Sequence, residues 1–422
     1  MISPLSFSLR CVMLLLLTMN ISSCVEKGCT DPEAINFNPD AQRDDESCYY
    51  GDKNEDLKKS ILRNHANLAH ALYSDAHAEA ISLATAVESF TESPSDDGFS
   101  KCRLAWKLAY NKYLKCDALR FSEGPIDNSK NLDRLIGAWP INERLIDYVG
   151  QSENGIINNP TILNEITASG LEAKNEALGK DEVTTGFHVI EFLLWGSDTG
   201  DASALTTGVR TFDDYLLNDS TILNADRRQD YLTSSANLLV SHLSTLSIQW
   251  DSLGVNNYRQ TFLSLEPDDA LKLILTGLGT LTRGELADRA LQNPLEKSDP
   301  ALEISNFSDN TVTDIISMKR SMELVYYGEY ESETTLPVKG ASLEDLLTTL
   351  NPDRAKHVTE TFDLLTETMV KIPSPFDIQV GFEAANGPGP ITKAVDVLLV
   401  LEDHWYEVAR DIGFGISTDL PE

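Results

Sequence analysis

The chain has 422 residues, with 66 acidic against 34 basic side chains, 41% hydrophobic content and a formal charge of −32. That much apolar material suffices for two or three domains of about 150 residues, while a polyanion of this size repels nucleic-acid phosphates and anionic lipid, excluding both as general partners and favouring cations and metal ions. The apolar run from Cys11 to Met19 is about half of the ~20 residues a helix needs to cross a bilayer, so no transmembrane span is expected.

Residues 1–23 contain no acid and one base, Arg10, ahead of Val12-Met13-Leu14-Leu15-Leu16-Leu17, the layout of a bacterial export signal. Ile21-Ser22-Ser23-Cys24 resembles a lipoprotein box. This implies that Cys24 is acylated and becomes the mature N-terminus, leaving the lipid anchor as the only membrane attachment, in the cell envelope. An ordinary secretory signal with a chance cysteine is the alternative. Export also implies an oxidising compartment, where disulfides persist.

Residues 28–49, opening Gly28-Cys29-Thr30-Asp31-Pro32 and closing Glu46-Ser47-Cys48-Tyr49, resemble a short motif recurrent in exported bacterial proteins, with Phe37 replacing its tyrosine and Glu46 its glycine. A Cys29–Cys48 disulfide is expected, worth about 3 kcal/mol by loop entropy, because a segment this small has no core of its own. Asp31, Asn36, Asn38, Asp40, Asp44 and Asp45 offer hard oxygen ligands suited to calcium. Turn-forming Asx residues in a solvated loop are the competing explanation, and no EF-hand spacing decides for calcium. Residues 24–51 thus form an acidic, Cys-stapled segment ahead of the body.

The body reads as helices. From 54 to 92, Leu57, Ile61, Leu68, Leu72, Ala76, Ile81, Leu83 and Val87 recur at helical spacing with no proline between them. Ser93-Pro94-Ser95-Asp96-Asp97-Gly98 breaks the pattern. A second helix is expected over 100–119 with Leu104, Trp106, Leu108, Tyr110 and Leu114 mostly inward. Cys102 and Cys116 would lie about 21 Å apart along it, beyond disulfide reach, so both are expected as buried free thiols. Further helices are expected over 141–149, 165–177, 184–195, 212–217, 227–250, 263–282, 311–327, 342–371 and 391–412. Alternating strand patterns are scarce, and an all-α protein of bundled helices follows. A seam near 252–257 would divide it into two helical bundles, 52–251 and 252–422.

Within Thr184-Thr185-Gly186-Phe187-His188-Val189-Ile190-Glu191-Phe192-Leu193-Leu194-Trp195-Gly196, two polar side chains sit among apolar ones. Three residues apart on a helix, His188 and Glu191 point to nearly the same side, and apolar residues all round mark a buried helix. A carboxylate there costs several kcal/mol unless a cation, a metal or hydrogen-bond donors meet it. HxxE alone is a weak motif, for which a structural His–Glu hydrogen bond is the commoner outcome.

The wider string is more specific: GxHxxEFLLWG resembles the signature of the imelysin family, classed among peptidases as M75. Cys102–Trp106 with Leu119–Asp127, Ala138–Val149, Gly277–Ala287 and Phe307–Thr311 resemble further blocks of that family, in its order, over about residues 52–415. The resemblance implies an exported or outer-membrane-anchored protein of two helical-bundle domains, associated with iron uptake. Their cleft would hold Gly186, Trp139, Pro140, Gly279, Glu285, Ser308 and Asn310 around His188 and Glu191. Some members are described as proteases, others as metal-binding or transport components. Ile304 and Val312 stand where many relatives carry histidines, removing any assistance those would give.

A zinc peptidase needs three protein ligands, an activated water and a separate base. HExxH and GxSxG are both absent, so the sequence demonstrates no enzyme. Binding asks for less: His188 and Glu191 as two ligands of iron or zinc, with oxygens from Glu143 and Asp147, a helical turn apart, or from Asp309. A solvated helix face is the alternative for Glu143 and Asp147, and a helix N-cap for Ser308 and Asn310. The expected function is binding of a metal ion or an iron-carrying ligand for uptake, with an outer-membrane transport partner; the alternative is an M75-type metallopeptidase.

Overall fold

The computed structural model describes residues 25–49, 51–128, 130–150, 155–197 and 207–420, so the export segment and the acylation candidate Cys24 lie outside the described residues. The chain divides into two units, Met1–Glu55 and Asp56–Glu422.

In the first unit Cys29 and Cys48 form the expected disulfide, with their Cα atoms 4.6 Å apart. The Asx side chains serve the local backbone. Asp31 accepts from the Glu33 N–H, Asn38 from Asp40, Asp44 from Glu46 and Asp45 from Ser47, each at 2.9–3.1 Å. This two-residue reach is the Asx-turn pattern. Asn36 ties the ends together, accepting from the Tyr49 N–H and donating to the Ser47 carbonyl.

Among the described residues of the second unit the regular structure is helical, apart from one two-stranded antiparallel ribbon, β1 (Glu329–Tyr330) with β2 (Val338–Lys339). Its helices are α1 (Glu55–Glu92), α2 (Asp96–Leu114), α3 (Leu132–Ile136), α4 (Glu143–Ile146), α5 (Ala168–Lys174), α6 (Phe187–Trp195), α7 (Ala225–Trp250), α8 (Tyr258–Leu263) and α9 (Pro267–Thr280). A π-helical segment, Leu281–Gln292, continues α9. There follow α10 (Asn293–Lys297), α11 (Thr311–Tyr327), α12 (Leu343–Leu350), α13 (Pro352–Met369), α14 (Phe376–Asn386) and α15 (Pro390–Ile412).

Local chemistry sets these boundaries. Helix α2 begins earlier than expected because the Ser95 hydroxyl accepts the Gly98 N–H and Asp96 and Asp97 occupy the first turn. Its buried stripe is Phe99, Cys102, Trp106, Tyr110 and Tyr113; Leu104 and Leu108, expected inward, are exposed because they fall between those positions. Ile81 of α1 is exposed for the same reason, between buried Ala80 and Leu83. The single helix expected over 342–371 is two, since Pro352 lacks the N–H needed to continue and Asn351 caps the second by accepting from the Arg354 N–H. The 141–149 helix contracts to α4, and 212–217 to one 3-10 turn, Phe212–Tyr215. Cys102 and Cys116 are free and buried, and burial pushes the Cys102 thiol up to about 12.

Residues 252–257 form the connection between α7 and α8, and helices before and after it contribute to one hydrophobic core. Polar bonds also cross between the halves. The Asn111 amide on α2 donates to Ser317 on α11 at 2.7 Å, and the Ala118 N–H donates to Ser321. Asp75, buried in α1, receives the Tyr330, Ser332 and Thr334 hydroxyls and the Glu333 and Thr334 N–H groups. That loop is therefore anchored to the first helix by a desolvated carboxylate with its acceptor capacity filled.

Candidate functional site

Helix α6 is buried on every face, from Phe187 to Trp195. Gly186 makes its entry possible. Its φ is 95°, and a Cβ there would stand 2.5 Å from the Ile136 carbonyl oxygen, so only glycine fits.

On this helix His188 and Glu191 meet as expected: imidazole Nδ1 lies 2.8 Å from Glu191 Oε2, with His188 2% exposed and Glu191 fully buried. His188 Nε2 lies 2.9 Å from the Tyr110 hydroxyl of α2. The tautomer serving both contacts carries its proton on Nδ1, donates to the carboxylate and accepts from Tyr110. Glu191 Oε1 accepts the Ser308 N–H at 2.9 Å and the Ser308 hydroxyl at 2.7 Å. A continuous chain, Tyr110–His188–Glu191–Ser308, thus joins α2 and α6 to the segment that leads into α11. It supplies the donors that a buried carboxylate requires.

Two further acids surround the pair. Asp314, fully buried in the first turn of α11, lies 2.6 Å from the Ser305 hydroxyl and accepts from the Asn310 amide at 2.7 Å. Burial pushes its carboxyl up to about 8, and the charge of Glu191 adds to that, against the hydrogen bonds of Ser305 and Asn310. Burial likewise raises Glu303, with Asp309, Asp377 and Glu191 adding and the Thr311 hydroxyl opposing. The Lys107 ammonium stands over the Trp195 ring, 3.5 Å from the Ser308 carbonyl.

Glu143 and Asp147, the other expected oxygen ligands, lie elsewhere. Asp147 is fully buried but committed to Arg210 at 2.7 Å and to Arg228 at 2.7 and 3.1 Å, with Asn158 as a further donor. Burial would raise its carboxyl, yet the two guanidiniums outweigh that and hold it at about 2. Glu143 opens the four-residue α4 and Asp147 follows its end, so they do not form a two-carboxylate helix face. Asp309 takes a left-handed φ of 52°. The helix-cap explanation for Ser308 is overturned, since its hydroxyl serves Glu191. Asn310 does occupy the N-cap position of α11, but its side chain bonds Asp314 instead of capping. Among the described residues no group of three or more His, Cys, Asp or Glu side chains is placed to share a metal ion.

Of the remaining motif residues, Gly279 abuts Thr418, Pro140 is exposed, and Trp139 and Glu285 belong to a second region. There Arg289 stacks over the Trp139 ring at 4.2 Å, donates to the Trp139 carbonyl and pairs with Glu285 at 3.0 Å. Arg120 pairs with Asp117, Asp133 and Glu285. Sequence reasoning did not assign Tyr110, Ser305, Asp314, Arg120 or Arg289 to a site. Two of them left a signal: Arg120 falls within the Leu119–Asp127 block, and Asp314 is an acid one residue before Ile315 on the buried stripe of α11.

A family model described as imelysin, Peptidase_M75, matches residues 69–403. The fold is similar to that of a crystal structure from Parabacteroides distasonis described as an iron-regulated protein A precursor: TM-score 0.66, 18% identity, 85% of this chain and 95% of that one covered. It is also similar to an imelysin-like protein from Psychrobacter arcticum, with TM-score 0.55 and 14% identity over 86% of this chain and 94% of that one. No curated protein matches the chain.

Proposed function

The chain belongs to the imelysin family, and from that premise we propose that it is an exported, lipid-anchored protein of the cell envelope that binds an iron-carrying ligand for uptake. Support comes from the export-type residues 1–23, the lipoprotein-like Cys24 and a solved relative described as iron-regulated. A transport partner in the outer membrane completes the reading.

The observation that carries binding over hydrolysis is the state of the His188–Glu191 pair. Both ring nitrogens and both carboxylate oxygens have protein partners. A hydrolytic zinc centre needs three protein ligands, an open position and a free base, and this donor set does not fit that requirement. A bare iron or zinc ion would have to displace Tyr110 or Ser308 to reach His188 or Glu191. Iron already wrapped in a carrier makes no such demand, so the reading favours a complexed metal over a naked one. The pair then fixes the junction of α2, α6 and α11.

The test titrates the mature protein and its His188→Ala variant with ferrous, ferric-citrate and zinc probes by calorimetry, followed by metal analysis. Cleavage of an unfolded substrate is assayed in parallel with and without chelator. Saturable uptake of an iron form without cleavage supports the reading. Negligible iron binding, with chelator-sensitive cleavage abolished in Glu191→Gln, would establish the peptidase instead. Cys24→Ala should abolish incorporation of labelled palmitate; retained labelling would sink the anchor.

A further inference from the structure

Away from the His188–Glu191 pair lies a cavity of about 900 Å³, within the range of small-molecule sites. It is bounded by residues 120–134, residues near Lys180 and the π-helical segment. Four basic side chains reach it: Arg120, Arg134, Lys180 and Arg289. In a chain of charge −32 such convergence needs a reason.

Three of the five acids that line it, Asp133, Glu176 and Glu285, are paired with its bases, and Glu123 and Asp127 line it as well. Glu285 is 2% exposed where its partner Arg289 is 25% exposed, and Asp117 is 1% exposed where Arg120 is 11%. Glu176 pairs with Arg134. These carboxylates neutralise and orient the guanidiniums, so the wall presents fixed N–H donors without a large positive field. The lining as a whole carries four basic against five acidic side chains. Recognition there would rest on directed hydrogen bonds to oxygen acceptors.

Two backbone features coincide with this wall. Phe121, Glu123 and Asn131, all lining the cavity, hold left-handed φ angles of 60°, 55° and 48°, a conformation that costs non-glycine residues free energy and clusters at ligand sites. The opposite wall, carrying Glu285 and Arg289, is π-helical, a geometry frequent at functional sites. The same wall leads inward. Arg120, Glu285 and Trp139 also border a water-sized cavity with Tyr110, the partner of His188. There the Tyr113 hydroxyl and Asp117 Oδ2 are buried without a hydrogen-bond partner, as expected of groups that share an internal water.

We propose that the 900 Å³ cavity binds a small polycarboxylate, alone or holding ferric iron, with its carboxylate oxygens received by Arg289, Arg134 and Lys180. This rests on the iron-carrier reading above and names the ligand class and its place. Because the lining is nearly charge-balanced, binding should weaken little with salt, unlike a site driven by net charge.

The probes are citrate and ferric citrate, titrated calorimetrically into the full mature protein. Lys180 is exposed, so Lys180→Glu should fold normally; Arg289→Gln is the second variant, with thermal unfolding checked. Each should weaken citrate binding about tenfold or more. Citrate binding without ferric citrate binding would uphold the cavity and refute the iron reading. Iron binding that both cavity variants leave untouched would overturn the cavity and spare that reading. Absence of citrate binding at millimolar concentration would also overturn it.

Discussion

Replacing Asp314 by Asn tests the electrostatics around the His–Glu pair directly. The Asp314 carboxyl is fully buried and pushed up to about 8, first by burial and then by Glu191. An acid whose folded pKa is raised binds its proton more tightly in the native state than in the unfolded chain. Its stabilising contribution is therefore complete below the ordinary carboxyl pKa of 3.8 and is lost as pH rises toward 8. Across the upper half of that window each pH unit costs up to about 1.4 kcal/mol, so moving from about pH 6 to about pH 8 should cost the wild type about 2 kcal/mol through this one group. Asn mimics the protonated acid: its Oδ1 accepts from Asn310 and its Nδ2 donates to the Ser305 oxygen, replacing the contacts at 2.7 and 2.6 Å. The variant should be near wild type at the lower pH and lose less stability at the higher one. Urea unfolding of both proteins at both pH values isolates the difference, since Asp117, raised to about 7, is common to both. Parallel losses in the two proteins would refute the assignment of a protonated Asp314.

Asp147→Ala removes the shared partner of buried Arg210 and Arg228 and should cost about 3–5 kcal/mol in denaturant unfolding; a loss below 1 kcal/mol would show that the guanidiniums find other partners. Because its folded pKa is depressed to about 2, the stability Asp147 supplies is present above the ordinary 3.8 and disappears only as pH falls toward 2. Gly186→Ala meets both a φ of 95° and the Ile136 carbonyl at 2.5 Å, so it should destabilise by more than about 2 kcal/mol. An unchanged melting temperature would show that the entry to α6 relaxes freely.

Patterning alone determined the helical class, the long proline-free α1, the break at Ser93–Gly98, the all-round burial of α6 and the proximity of His188 to Glu191. Each is a local property: side chains three and four residues apart share a helix face whatever surrounds them. The Cys29–Cys48 pairing was equally legible, in a segment too short for a core. What the pair does with its remaining bonding capacity was not. Tyr110 is 78 residues before His188 and Ser308 is 117 residues after Glu191, and no period in the sequence links them. The fates of Asp147 and Glu285 depended likewise on arginines 63 and 81 residues after the one, and 165 before and 4 after the other. An acid on a short helix reads the same whether it faces solvent, a metal or a buried guanidinium. Only tertiary packing, by deciding which cation shares its desolvated space, separates the three.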